Sequence, residues 1–396
     1  MSAERVFQVL LCSGLLAGGW LYGKYWKKAA ISSDHGESSG ELRSQNAELT
    51  RELDETRDEL AQIRSLLAQG SLAIPEDLIA FVEKDSGMVF PKAPIAKLAS
   101  PDIFRNAAER NLELLFGKDG VEEEQHAWTT IGLLPPNDIL RAQWIAIETN
   151  GTRGLFDLRS GEILLPEDFD PLSIPDSGAL VHQLARQLQI QNHPFPESWK
   201  STDEARAWLA IHRGAASGVQ SRYLRRRAAA EQVDWEDKSD DRETLLLQLS
   251  PSIQGVANFP HLEGADYAKK AYLESRDAYL SIFRTPPLST FKILYPHLEP
   301  IKPSETKEPI QLLGALGIRL LFDPYLGNEA ADELAQAWRG DRYQIDVSKL
   351  NWQVTMATPE LAQTFARGLQ QIEVEGRSIN VDVSHIDISI SLKNDR

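Results

Sequence analysis

Apolar and polar positions change period several times along the chain, and each period predicts a different element. Val6 to Gly23 is an almost continuous apolar run. At about 1.5 Å per residue a helix there reaches roughly 27 Å, close to the thickness of a bilayer core. Trp20, Tyr22, Tyr25 and Trp26 suit an interfacial aromatic belt, and Lys24, Lys27 and Lys28 close the segment, so residues 1–28 are expected to form a retained transmembrane anchor. A cleaved signal peptide is the alternative. Its positive region would be only Arg5 beside Glu4, and no clear small-x-small cleavage site follows. Cys12 follows Leu11, where a lipoprotein signal needs a small residue, which argues against lipidation. Gly14 with Gly18, and Gly19 with Gly23, have the spacing that lets membrane helices approach closely.

A polar linker, 29–41, leads into heptads over 42–70. Leu42, Leu49, Thr56 and Ile63 take d positions, and Asn46, Leu53, Leu60 and Leu67 take a positions. Glu52 and Glu59 then fall at g, and Arg57 and Arg64 at the following e, the pairing that crosses between parallel strands. The expected product is a parallel dimer, with Asn46 as a buried polar a residue that selects register. A single amphipathic helix packed on the following domain is the competing reading, and the matched e and g charges favour the coiled coil.

Gly70 and Pro75 end the stalk, and the globular part is expected over 75–396. Helical periods run through Pro75 to Lys84, Pro101 to Phe116 and Gly178 to Gln191. Trp144 to Leu165 reads as a hairpin around Asn150-Gly151-Thr152, and Arg242 to Ser250 reads as helix or strand. Trp352, Val354 and Met356 alternate, a helix follows from Pro359 to Gln371, and Ile379, Val381 and Val383 alternate again. Ile386, Ile388, Ile390 and Leu392 continue on a shifted phase, which predicts a bulge or turn at Ser384-His385. The fold class is therefore α+β, a mainly helical domain with small β elements.

Composition adds limits. The 396 residues are 42% hydrophobic, enough for a large core, and the net charge of −16 argues against general nucleic-acid binding. Arg222, Arg225, Arg226 and Arg227 form a basic cluster best read as the solvated end of a helix. Cys12 is the only cysteine, so no intrachain disulfide forms. No internal repeat and no Gly-rich phosphate loop is visible.

The chemistry-bearing segment is Ala179 to Gln191, with His182, Gln183 and Arg186 at the spacing of a His-Glu-x-x-His helix. In such a helix two histidines one turn apart hold zinc, and the glutamate takes a proton from the metal-bound water. Other segments keep it company in order: Leu133-Leu134-Pro135-Pro136, Gly154-Leu155-Phe156-Asp157 with Ile163-Leu164-Leu165, and Trp208 to Tyr223 containing Arg213-Gly214-Ala215-Ala216. Phe259-Pro260-His261, Pro286-Pro287-Leu288-Ser289-Thr290 with Ile293-Leu294-Tyr295-Pro296, and Trp338-Arg339-Gly340-Asp341-Arg342-Tyr343 complete the set. Over roughly the last four fifths of its length the chain resembles a bacterial and archaeal zinc metallopeptidase-like family of gluzincin type. The resemblance places the first histidine at His182, the general base at Gln183, the second histidine at Arg186 and the acidic third ligand at Arg213. Its remaining motif positions here are Asp157, Pro286, Pro287, Ser289, Thr290, Trp338, Asp341 and Arg342.

Electrostatics separates a modified metal site from none. A guanidinium about 4 Å from a divalent cation is repelled by about 8 kcal/mol at an effective dielectric near 20. A Gln is no general base, and an Arg offers only donors. His182, His193 and His212 could rebuild a site, but no ligand spacing supports it. The expectation is a membrane-anchored pseudopeptidase without metal or other cofactor, which binds a peptide or protein ligand carrying an acidic group or acts as a scaffold. The alternative is an active metallopeptidase with a rearranged metal site. The lysines after the span favour a cytoplasmic domain by the positive-inside rule, whereas the resemblance implies an extracytoplasmic one, and the reading leans to the latter.

Overall fold

The computed structural model describes residues 48–51, 71–150, 152–231, 240–298, 312–346, 349–374 and 376–394. The expected membrane span lies outside the described residues, as does the coiled coil apart from one helical turn at 48–51, where Leu49 is exposed. Among the described residues no helix is long and apolar enough to cross a membrane. The chain forms two compact units, Met1–Ser65 and Leu66–Arg396, and every element from Ser71 onward belongs to the second.

That second unit is α+β and mainly helical. It opens with strand β1 (Ser71–Leu72), helix α1 (Glu76–Ser86) and strand β2 (Ala96–Ala99). Helices α2 (Pro101–Phe116), α3 (Gly120–Ile131) and α4 (Leu140–Asn150) then carry the chain to β3 (Leu155–Asp157) and β4 (Glu162–Pro166). The resulting sheet has the order β1-β2-β4-β3, with β2 parallel to β4 and the other pairs antiparallel.

The hairpin expected around Asn150-Gly151-Thr152 is not there. Leu140, Trp144 and Ile147 are buried on one face at helical spacing, so the first apolar run belongs to α4. The hairpin is β3–β4, closed by Leu158 to Gly161, where Gly161 adopts φ 72° and donates to the Asp157 carbonyl at 2.8 Å. Asp157 shapes this turn by accepting from the backbone amides of Arg159 and Ser160.

Helix α5 (Ile174–Asn192) and the long helix α6 (Thr202–Glu231) form the centre of the unit. Every residue of α5 from 180 to 189 is buried, so this helix is enclosed on all sides rather than amphipathic. Helix α7 (Asp240–Leu246) resolves the ambiguity over Arg242 to Ser250, and α8 (Pro251–Asn258) runs into a π-helical turn at Pro260–Gly264. That turn crosses α6 without intervening side chains: a Cβ on Gly214 would lie 2.3 Å from the Gly264 carbonyl carbon, and one on Gly264 would lie 2.4 Å from the Ala210 oxygen.

Helices α9 (Ala265–Glu274), α10 (Arg276–Arg284), α11 (Thr290–Leu294), α12 (Gly314–Leu326) and α13 (Asn328–Ala337) lead to the second sheet. It comprises β5 (Trp338–Asp346), β6 (Lys349–Met356), β7 (Arg377–Ser384) and β8 (Asp387–Asn394), all antiparallel in the order β5-β6-β8-β7, with α14 (Pro359–Gln371) against it. Trp352, Val354, Met356, Ile388, Ile390 and Leu392 form its buried face. Trp352 packs edge-on against Phe365 of α14 at 5.5 Å. The phase shift at Ser384-His385 is a tight turn: Ser384 pairs with Asp387, and His385 takes φ 59°.

The basic cluster at the end of α6 is not simply solvated. Arg222 forms a forked pair with Asp85 at 2.6 to 3.1 Å and lies over the Tyr272 ring, and Arg227 donates to the Leu172 carbonyl and to Glu231. These guanidinium groups tie α6 to α1 and to the entry of α5.

Candidate functional site

The four positions aligned with a zinc site converge. His182, Gln183 and Arg186 face inward from α5, and Arg213 of α6 acts electrostatically on both His182 and Arg186. Gln183 is a brace: its Nε2 donates to the Gly154 carbonyl at 2.7 Å, and its Oε1 accepts from Arg186 Nη1 at 3.2 Å. Gln187, one turn on, holds the Gly161 carbonyl at 2.7 Å. Both amides therefore lock α5 to the β3–β4 hairpin, a role that a carboxylate could not fill because it has no N–H to give.

Arg186 is only 3% exposed, and among the described residues no carboxylate hydrogen-bonds it. Burial, reinforced by the Arg213 charge, pushes its pKa down to about 9. Arg213 is neutralised by Glu148 of α4 at 2.6 Å, with both side chains largely buried. Arg242 belongs to the same electrostatic group, since Arg213 lowers its pKa after burial and Glu148 opposes. Among the described residues it donates to neutral acceptors, Asn258 Oδ1 at 3.2 Å and the Ala257 carbonyl at 3.0 Å.

Histidines surround the cluster. Burial, then the Arg186, His261 and Arg213 charges, holds His182 well below the usual imidazole range. The His261 ring stacks with it at 6.3 Å, and burial followed by Arg242, Arg213 and Arg186 lowers its pKa to about 3. Ser217 Oγ lies 3.2 Å from His261 Nδ1. His212 sits between Trp208, centroid to centroid 4.0 Å, and Phe283 at 5.4 Å, with both ring nitrogens buried and without a protein hydrogen bond. His182 Nδ1, Arg186 Nε and Arg213 Nε also lack one. With these histidines neutral, Glu148 is the one carboxylate among the described residues that acts on Arg186, Arg213 and Arg242 together, and it is paired directly with Arg213.

Beside the Arg213–Glu148 pair lies a cavity of about 40 Å³ measured for the centre of a water molecule. Its walls are mostly apolar, including Leu112, Leu115, Phe116, Trp144 and Phe259. Arg206 also reaches it, but that charge is balanced by a buried ion pair with Glu124.

The other motif positions build the scaffold. Asp157 pairs with Arg110 at 2.7 Å beside its turn. Pro286, Pro287 and Ser289 precede α11, and Thr290 donates its hydroxyl to Asp203 at 2.6 Å and its amide at 3.0 Å. Asp341 accepts from the amides of Leu313 and Gly314 and from the indoles of Trp338 and Trp352, all within 3.0 Å. Arg342 faces outward on Gln353. His193 stacks on Phe283, apart from the His182–His261 pair. Among the described residues no group of three His, Cys, Asp or Glu side chains is arranged to hold a metal ion.

Sequence reasoning missed Glu148, Arg242 and His261 as members of the site. Glu148 lies four residues after Trp144 on the inward side of α4, and reading that run as a strand concealed it. Compared with known proteins, the chain matches no family model, no curated sequence and no solved structure.

Proposed function

We propose that this protein is a membrane-anchored, noncatalytic metallopeptidase-like protein, dimerised through its coiled coil, whose extracytoplasmic domain binds a peptide or protein ligand bearing an acidic group. The observation that carries the reading is the convergence of Arg186 and Arg213, two positions where the resemblance expects metal ligands, with Arg242 nearby and only Glu148 among the described residues paired with Arg213. A guanidinium cluster repels a divalent cation and attracts carboxylates. Gln183, committed to the Gly154 carbonyl, stands where a general base would be needed. The test is elemental analysis of the full chain purified in detergent without added zinc, together with a peptide-cleavage assay. The reading expects neither stoichiometric zinc nor cleavage, and one tightly bound zinc per chain with peptidase activity would overturn it.

A further inference from the structure

We propose that the Arg213–Glu148 pair and its adjoining cavity form a subsite for one carboxylate carried on a small branched aliphatic group, of the kind a peptide ending in leucine or valine presents. The inference rests on the noncatalytic reading and specifies what the site takes. Its first support is the cavity wall, which carries two guanidinium groups: Arg213, held by Glu148, and Arg206, held by Glu124. A second, independent support is the pair of buried donors without a protein partner on residues that line the cavity, Arg213 Nε and Arg206 Nε. Buried donors are rarely left unpaired, and a guanidinium fork suits a carboxylate's two oxygens.

The cavity wall determines the rest of the ligand. Leu112, Leu115, Phe116, Trp144 and Phe259 offer an apolar surface next to the charged pair. A volume of about 40 Å³ for water centres holds about three waters' worth of matter, enough for roughly four carbon atoms and too little for an indole. A phosphate would place two charges and no apolar body in this space, so a monocarboxylate with an aliphatic group matches it better.

The experiment measures anisotropy of a dye-labelled octapeptide ending in free leucine, titrated with the full chain in detergent. The same peptide amidated at its C terminus is expected to bind at least tenfold more weakly, and a glycine-ended twin several-fold more weakly. The free acid N-acetyl-leucine serves as competitor. If it competes as strongly as unlabelled octapeptide, the source is a free aliphatic acid; competition more than tenfold weaker makes the source a peptide C terminus, and both outcomes keep the subsite. The double variant Glu148→Gln, Arg213→Gln removes the pair together and leaves net charge unchanged, and it should abolish the acid-over-amide preference. Arg213→Lys keeps the charge without the fork and should lower that preference. Equal binding of acid and amide, no binding by either, or a preference that survives the double variant would overturn the inference. An amidated peptide with an internal glutamate binding as well as the free acid would end this inference while leaving the noncatalytic reading intact, whereas zinc-dependent cleavage of the same peptides would end that reading.

Discussion

Acid should destabilise this domain through its buried neutral histidines, and His212 gives the cleanest measurement. Burial, then Arg186 and His193, holds its pKa well below the ordinary value, and both ring nitrogens lack partners. A histidine of pKa about 6.5 when unfolded takes a proton below that pH, while the folded ring does not, so stability falls as pH drops. Between about pH 7.5 and 5.5 the loss is about 1.4 kcal/mol for each such group. His182, which burial holds well below its ordinary value, and His261, at about 3, add to His212, for a total of about 4 kcal/mol. Asp203 works in the opposite direction. Burial pushes its pKa up to about 7, so the folded chain gains a proton as pH falls through 7, which stabilises it by about 2 kcal/mol over the same interval. Asp341, which burial also raises, works with Asp203, and His193, which burial lowers, works with the other histidines, so the experiment isolates the His212 share. His212→Phe keeps the contacts with Trp208 and Phe283, and any packing strain it adds is equal at both pH values. Urea unfolding followed by tryptophan fluorescence at the two pH values should show the acid loss reduced by about 1.4 kcal/mol in this variant. The same pH difference in variant and native protein would refute the assignment of His212 as a buried neutral group.

Three further outcomes follow from other parts of the structure. Glu148→Gln leaves the largely buried Arg213 without its carboxylate and should cost about 3 kcal/mol, partly restored by added sulfate in thermal melts; no loss would mean that the pair is solvated. Gly214→Ala drives a methyl into the Gly264 backbone and should lower stability by at least about 3 kcal/mol, whereas Gly340→Ala, where a Cβ meets open space and φ is not positive, should cost far less in the same denaturant series. The combined change Gln183→Glu, Arg186→His, Arg213→Glu should create zinc affinity measurable by competition with a chromogenic chelator if these side chains meet as their electrostatic coupling indicates; no gain would count against the residue-by-residue alignment with a metal helix.

The sequence revealed local structure well where one period was unbroken. Helices α2 and α14 begin and end where proline starts and the apolar face predict, and the phase change at Ser384-His385 marks the β7–β8 turn. It misled at Trp144 to Ile147, where consecutive apolar residues hide a helical face that also uses Leu140. For the site, His182, Gln183, Arg186 and Arg213 could be named because their spacing matched a known pattern. Glu148, Arg242 and His261 could not, because they come from α4, α7 and the π-helical turn, and only packing brings them near Arg213. Asp341 and Thr290 were legible as motif residues, but their work is structural: four donors converge on the first, and the second is anchored on Asp203.

Arg377 closes the domain against its own beginning, donating to the carbonyls of Thr130 and Ile131 at 3.2 and 2.8 Å from 247 and 246 residues downstream. Gly132, which ends α3 in the left-handed region, packs against Ile372 and Val374 of the same late segment. During synthesis at about 5–20 residues per second, the end of α3 therefore waits roughly 12–50 seconds for the strand that covers it. The nascent chain must hold an unfinished surface through that interval, and truncation before Arg377 would leave it permanently open, a natural target for chaperones and degradation.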